Sequence, residues 1–104
     1  MYIVVWEYVV RFGHEAEFEN TYGASGDWVQ LFEQADGYLG TELFHDSPQH
    51  YITVDHWISS QAYERFHQQF RAAYHTLDAR CHSLTEREKL VGTGDIFTRS
   101  TSAP

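Results

Sequence analysis

The chain has 104 residues, of which 42% are hydrophobic and 21% charged, the composition of one globular domain. Its formal net charge of −8 repels phosphate backbones and anionic lipid surfaces, so we expect neither a nucleic-acid partner nor a membrane partner. No run approaches the ~20 apolar residues that span a bilayer, and the N-terminal segment lacks the basic region of a signal peptide. Together with a single cysteine, Cys81, this predicts a cytoplasmic protein.

The N-terminal part of the chain predicts a strand followed by an interrupted helix. Residues 2–12 are rich in β-branched and aromatic side chains and predict the first strand. After Gly13, a helical pattern with acidic residues in its first turn predicts a helix that starts near His14. The Gly-containing segment 23–26 interrupts that helix, and Asp27 is predicted to cap a second helical piece.

The rest of the chain predicts a hairpin, a long amphipathic helix and a last strand. Residues 38–45 and 51–58 have strand character, and the turn residues between them predict an antiparallel hairpin with a loop of about four or five residues. Apolar residues at helical spacing predict the second main helix over 60–76, and a further short helical piece over 77–85. Residues 89–97 predict a weak strand that glycines loosen.

The order of these elements predicts an α+β fold of the ferredoxin-like split βαββαβ type, with a four-stranded antiparallel sheet. We expect one domain over residues 1–98 and a disordered C-terminal tail over 99–104. Helices cover only one face of such a sheet, yet strand 2–12 has apolar side chains on both faces. This predicts a homodimer in which the second face packs against the same sheet of another copy.

Aromatic residues make up 16% of the chain, and this leaves two interpretations open. The rings either form a purely structural core or line a pocket for a small aromatic ligand. Phe66 and Phe70 are predicted on the buried stripe of the second helix, facing the sheet. The residues predicted to form the walls of a pocket are Trp6, Tyr8, Trp57, Phe66, Phe70 and Tyr74.

Acid–base chemistry in such a pocket is predicted to depend on His56 or His75, because histidine is the side chain that titrates near neutral pH. The reserve candidates are the carboxylates Glu42 and Asp55. Strand alternation puts Asp55 and His56 on opposite faces of the sheet, so the two cannot line one pocket. Periodicity alone leaves open which of these faces meets the helices.

The sequence predicts neither a metal nor a cofactor. No helix carries a pair of histidines at i, i+4, and Glu64 with His67 lacks the second helical Glu-x-x-His motif that carboxylate di-iron bundles need. No glycine-rich loop of a phosphate-binding type is present, so a nucleotide or flavin has no predicted site.

Several stretches resemble the antibiotic biosynthesis monooxygenase family, and the likeness extends over roughly residues 2–97. The stretches are Arg11-Phe-Gly13 before Glu15-Ala-Glu-Phe18, then Gly37-Tyr-Leu-Gly-Thr-Glu-Leu43, and Tyr51-Ile-Thr-Val-Asp-His-Trp57-Ile-Ser59 leading to Ala62-Tyr63. The resemblance implies a dimeric α/β barrel built from two ferredoxin-like subunits. For the insertion at residues 22–28 it implies no substrate.

The resemblance implies more than one activity, because similar barrels include cofactor-independent oxygenases, haem-degrading enzymes and isomerases. Our first hypothesis is a monooxygenase-like protein without flavin or metal, oxidising a small aromatic phenol or quinol between the sheet and the helices. One alternative is a non-catalytic barrel that binds a hydrophobic or aromatic small molecule.

The other alternative is a haem-binding or haem-degrading relative that uses His75. In those relatives a strand-one Asn, a helix-two Trp and a helix-two His mark the site. This chain has Trp6 and Phe66 at the first two positions, and His75 lies close to the third.

Overall fold

A four-stranded antiparallel sheet with helices against one face makes up residues 1–97, the part of the chain that the computed structural model describes. The strands are β1 (Tyr2–Val10), β2 (Tyr38–Ser47), β3 (His50–Trp57) and β4 (Thr85–Asp95). The helices are α1 (Glu15–Tyr22), α2 (Asp27–Phe32), α3 (Ser60–Gln69) and α4 (Arg71–Cys81), and the 3-10 turn His82–Leu84 follows them. The strand order β2-β3-β1-β4 confirms the predicted ferredoxin-like topology. The tail predicted over 99–104 lies outside the described residues.

Strand alternation decides which side chains meet the helices. In the central strand β1, Val4 and Val10 are fully buried beneath the helices. In β3 every second residue from Tyr51 to Trp57 is buried, and Asp55 is one of them. His56 therefore points to the opposite face of the sheet from Asp55, as strand alternation predicted.

The core consists mainly of aromatic rings that join the helices to the sheet. Phe18, Trp57 and Phe66 are fully buried. The ring of Phe32 on α2 packs edge-on against Trp57 on β3 and Phe66 on α3, with centroid distances of 5.7 and 5.1 Å. Such pairs add to the area that the rings bury, so this contact fixes α2 and α3 against the sheet.

The predicted helix over 60–76 is divided at Phe70, and its second part runs on to Cys81, so that only the 3-10 turn His82–Leu84 remains of the separate piece predicted over 77–85. Phe70 has φ −113° and ψ 24°, and it separates α3 from α4. The backbone amide of Phe70 still donates to the carbonyl of Phe66, and the amide of Tyr74 donates to the carbonyl of Phe70. Since the hydrogen-bond ladder continues, the helix changes direction there without losing backbone partners. Phe66 lies in the core as predicted, whereas Phe70 is only half-buried at the junction.

Three boundaries also differ from the predictions. Only Pro48 and Gln49 separate β2 from β3, a shorter loop than predicted, because pairing continues through the turn residues. Strand β4 already begins at Thr85, since its backbone pairs along the length of β1 and this outweighs the low strand propensity of its glycines. The cap of α2 is Gly26, and Asp27 is the first residue of that helix.

Residues 1–97 leave the face of the sheet opposite the helices uncovered. Its central side chains are apolar: Ile3, Val5, Ile52 and Val54 are partly buried, and Phe44 is exposed. Within the described residues, no helix has both the length and the hydropathy needed to cross a membrane.

Truncation of Phe66 tests the core. Phe66→Ala is expected to lower the free energy of unfolding by about 3 to 5 kcal/mol, because it leaves a cavity in a fully buried cluster. Phe70→Ala is expected to cost clearly less, and Phe12→Ala, at a side chain 86% exposed, should change stability by less than about 0.5 kcal/mol. Urea denaturation of the three variants measures the ranking. Equal losses for Phe66→Ala and Phe12→Ala would contradict this packing.

Candidate functional site

A cavity lies between the helix-covered face of the sheet and the helices. Its lining is mostly aromatic and acidic: Trp6, Tyr8, Tyr22, Trp28, Phe32, Thr41, Thr53, Asp55, Tyr63, His67, Tyr74, Asp78 and Glu88. Together with its open mouth the cavity encloses about 550 Å³. We call its aromatic interior the slot, and its aromatic walls favour a planar ring.

The carboxyl group of Asp55 is the central polar group of this slot. The side chain is 7% exposed, and the Thr41 hydroxyl donates to its Oδ1 at 2.7 Å. Because that hydroxyl has a single proton, Tyr38 must donate its own proton to Thr41 Oγ1, at 2.6 Å. Oδ2 of Asp55 has no hydrogen-bond partner among the described residues, so one oxygen is left for a ligand.

Burial raises the pKa of Asp55 to about 6, an effect that the hydrogen bond from Thr41 and the nearby His56 only partly oppose. A carboxyl with this pKa is mostly ionised at neutral pH but close to its titration point. That is the range in which a side chain both accepts and returns a proton efficiently.

The tyrosines of the lining are hydrogen-bond donors rather than bases. Burial raises the pKa of Tyr63 to about 12, and it raises the pKa values of Tyr8, Tyr22 and Tyr74 as well. All four phenols therefore keep their protons at neutral pH. Their hydroxyl groups can stabilise negative charge on a ligand oxygen.

His67 is the histidine that lines the cavity. Its ring packs between two tyrosines, 4.6 Å from the ring centroid of Tyr63 and 4.9 Å from that of Tyr74. Burial lowers the pKa of His67, and the nearby His75 lowers it further. The imidazole is therefore neutral at pH 7 and is a second group in the site that can accept a proton.

Of the residues predicted as pocket walls, Trp6, Tyr8 and Tyr74 line the cavity. Trp57 and Phe66 lie in the core and are not part of the lining. Phe70 is half-buried at the junction of α3 and α4, also outside the lining.

The four predicted acid–base residues do not come together. Asp55 lines the cavity, whereas His56 and Glu42 lie on the opposite face of the sheet, where His56 Nε2 is 2.6 Å from Glu42 Oε1. His75 is exposed on α4 and is not part of the lining. Within residues 1–97, no group of three or more His, Cys, Asp or Glu side chains is arranged to hold a metal ion.

Sequence reasoning missed several residues of the lining. Tyr22 and Trp28 lie on the apolar patterns that predict α1 and α2, but helical spacing does not distinguish a core position from the wall of a cavity. Thr41 and Thr53 could have been found, because Thr53 shares the parity of Asp55 in β3 and Thr41 is the register partner of Asp55 in β2.

Comparison with known proteins gives the family. The model of the antibiotic biosynthesis monooxygenase family matches residues 1–76. The chain belongs to the antibiotic biosynthesis monooxygenase family. This confirms the resemblance seen in the sequence. No curated protein matches the chain.

Solved structures share the fold at low sequence identity. A variant of SnoaB, a cofactor-independent oxygenase from Streptomyces nogalater, superposes with a TM-score of 0.75 at 16% identity over 97% of each chain. A variant of MhuD with two manganese protoporphyrin IX molecules bound per active site has a TM-score of 0.72 at 19% identity, over 98% of this chain and 100% of that one. PA3566 from Pseudomonas aeruginosa has a TM-score of 0.62 at 13% identity, over 95% and 94%. Similarity at these identities establishes the fold.

Asp55→Asn tests the burial of the carboxyl group. The folded protein holds this proton with a pKa of about 6, above the value of about 3.9 in an unfolded chain. Stability should therefore fall as the pH rises between these values, and the variant should be more stable than the wild type by about 2 to 3 kcal/mol near pH 8.

The stabilising effect of Asp55→Asn should disappear below about pH 4, where the carboxyl group is protonated in both states. Glu64→Gln is the matched control, because Glu64 is exposed on α3 and lies outside the cavity. Thermal denaturation across this pH range measures both variants. A destabilised Asp55→Asn at high pH would contradict the assignment.

Proposed function

We propose that this protein is a cofactor-independent monooxygenase that oxidises a small aromatic phenol or quinol in the cavity. The observation that carries the proposal is the buried carboxyl of Asp55, which presents a free oxygen inside an aromatic slot. Membership of the family and the fold similarity to an oxygenase support it. A cytoplasmic location remains a prediction from the sequence.

Asp55 is the proposed base. A phenol in the slot donates its hydroxyl proton to Oδ2, and the resulting anion is electron-rich enough to reduce O₂ directly. At a ring carbon that bears hydrogen, one oxygen atom stays as a carbonyl and the other leaves as water. The substrate supplies all four electrons, so the protein has to bind, deprotonate and exclude water. Tyrosine hydroxyl groups of the lining stabilise the developing anion.

The geometry favours Asp55 over the histidines that the sequence put first. His56 is on the other face of the sheet and His75 is exposed outside the lining, so neither reaches a ligand in the slot. His67 does line the cavity and is neutral at pH 7, which makes it the candidate to pass the proton onwards.

Haem handling is the second candidate, because MhuD shares the fold and binds manganese protoporphyrin IX in the solved variant. The lining argues against it here. A porphyrin carries two propionates, whereas three carboxylates and, among the described residues, no Lys or Arg line this cavity. Binding of an aromatic ligand without oxygen uptake would favour the third candidate, a non-catalytic binding barrel.

We further propose that the uncovered face of the sheet pairs with the same face of a second copy. Its centre is apolar, and the ion pairs His56–Glu42 and His50–Glu7 lie on the same face at 2.6 and 3.0 Å. A two-fold axis brings this face of one copy against the same face of the other, so that every contact between two residues occurs twice. Stable dimers of this kind bury more than ~1,500 Å² in total.

Val54→Asp tests the dimer. Val54 lies opposite Val5 on the uncovered face, so a charge at this position should split the dimer because it would be buried without a partner. Phe12→Asp is the control, at an exposed side chain outside the sheet. Sedimentation velocity should show a dimer for the wild type and the control and a monomer for Val54→Asp. A wild-type monomer of 12.2 kDa at micromolar concentration would contradict the proposal.

Oxygen uptake with a panel of phenols and hydroquinones tests the reaction. Asp55→Asn should lower kcat by about 100-fold or more, because the variant keeps the shape but cannot accept the proton. His56→Ala and His75→Ala should stay within a few-fold of the wild type, and wild-type activity should decline as the pH falls below about 6.

A chelator separates this reaction from a metal-dependent one. EDTA should leave the rate unchanged, because the proposed steps need no metal ion to activate water or oxygen. Loss of activity on chelation, or full activity in Asp55→Asn, would overturn the proposed mechanism.

A further inference from the structure

Three carboxylates of the cavity lining have no cationic partner. Asp55, Asp78 and Glu88 all line the slot. None of them forms an ion pair with a Lys, Arg or His side chain of residues 1–97. Among the described residues no Lys or Arg is part of the lining, and the one histidine there, His67, is neutral at pH 7. The cavity therefore carries uncompensated negative charge in a protein with a net charge of −8.

Asp78 and Glu88 lie at the end of the cavity that meets solvent, since Asp78 is half-buried and Glu88 is exposed. Both also line a neighbouring cavity with His82 and Arg87, yet neither of those residues pairs with them. Burial raises the pKa of Glu88, the charge of Asp78 raises it further, and His82 lowers it. The charge of Asp78 acts on Glu88 without a cation between them, so a positive group placed there would be stabilised by both carboxylates.

The walls beside these carboxylates are aromatic. Trp28 and Tyr74 pack edge to face with a centroid distance of 5.0 Å, and both line the cavity. Aromatic faces attract a cation, and the attraction grows where water is displaced. The free Oδ2 of Asp55, whose side chain is 7% exposed, lines the same cavity and leaves an acceptor there for a ligand.

We propose that the substrate is a phenol that carries an aliphatic amine, with its ring in the slot and its protonated amine between Asp78 and Glu88. This proposal rests on the proposed function only for the oxidation of the phenol, because the preference for a positively charged ligand is a property of binding. A positive group on the substrate also offsets the repulsion that the carboxylates would exert on a phenolate anion. Carboxylate-bearing aromatics are disfavoured for the same reason.

Three phenols of similar shape and different charge test the proposal. They are tyramine, 4-ethylphenol and 3-(4-hydroxyphenyl)propionate, and their affinities are measured without oxygen by calorimetry. Tyramine should bind at least about tenfold more tightly than 4-ethylphenol, since about 1.4 kcal/mol corresponds to that factor, and the propionate should bind most weakly. Higher salt should reduce the advantage of tyramine.

The double variant Asp78→Asn with Glu88→Gln should bring tyramine to within about threefold of 4-ethylphenol. Glu64→Gln removes one negative charge at an exposed position of α3 outside the cavity and should preserve the preference. Circular dichroism checks that the variants are folded, and the affinity of 4-ethylphenol serves as an internal control for an intact slot.

Equal affinities for tyramine and 4-ethylphenol would overturn the proposal, and so would tighter binding of the propionate or no binding of any of the three phenols. The outcome is independent of turnover. A preference for tyramine without oxygen uptake would remove the monooxygenase and leave the charge selectivity standing. Oxygen uptake without a preference for tyramine would remove the charge selectivity and leave the monooxygenase standing.

Discussion

Four helices cover one face of a four-stranded sheet, and each strand residue of the site reaches the cavity because it points towards that face. A strand has a period of two, so the choice is made by parity alone. In β3 it puts Asp55 in the cavity and His56 outside, where His56 meets Glu42. A register shift of one residue would exchange the two groups and remove the carboxylate of Asp55 from the cavity. Sheet register is therefore the basis of the proposed chemistry.

Burial of a carboxyl group opposes stability and supports reactivity at the same time. The interior that raises the pKa of Asp55 to about 6 also makes its ionised form costly in the folded protein. The hydrogen bond that Thr41 donates to Oδ1 offsets part of this free-energy cost, and the hydrogen bond from Tyr38 keeps the Thr41 hydroxyl in that orientation. The remaining oxygen stays free. Sites that hold a reactive group in this way typically sacrifice some stability for function.

The topology, the order of helices and strands and the opposite directions of Asp55 and His56 could be predicted from the sequence. Alternating patterns indicate which face of the sheet each strand residue points to. The sequence did not show that α3 ends before Phe70, since the apolar stripe runs on through the junction. Tyr22 and Trp28 were missed because helical spacing predicts a buried stripe without distinguishing a core position from a cavity wall. The histidines ranked first for their chemistry, but the tertiary structure puts His56 on the other face and leaves His75 exposed.

The most direct test of this account is the titration of the Asp55 carboxyl group itself. A carbon-detected NMR titration of the side-chain carboxyl, assigned by comparison with Asp55→Asn, gives its pKa in the free protein and with a bound phenol. We predict a midpoint of about 6 in the free protein, and a change in that midpoint when the phenol binds. A midpoint near the ordinary value of about 3.9, unaffected by the phenol, would contradict the placement of a reactive carboxyl in this cavity.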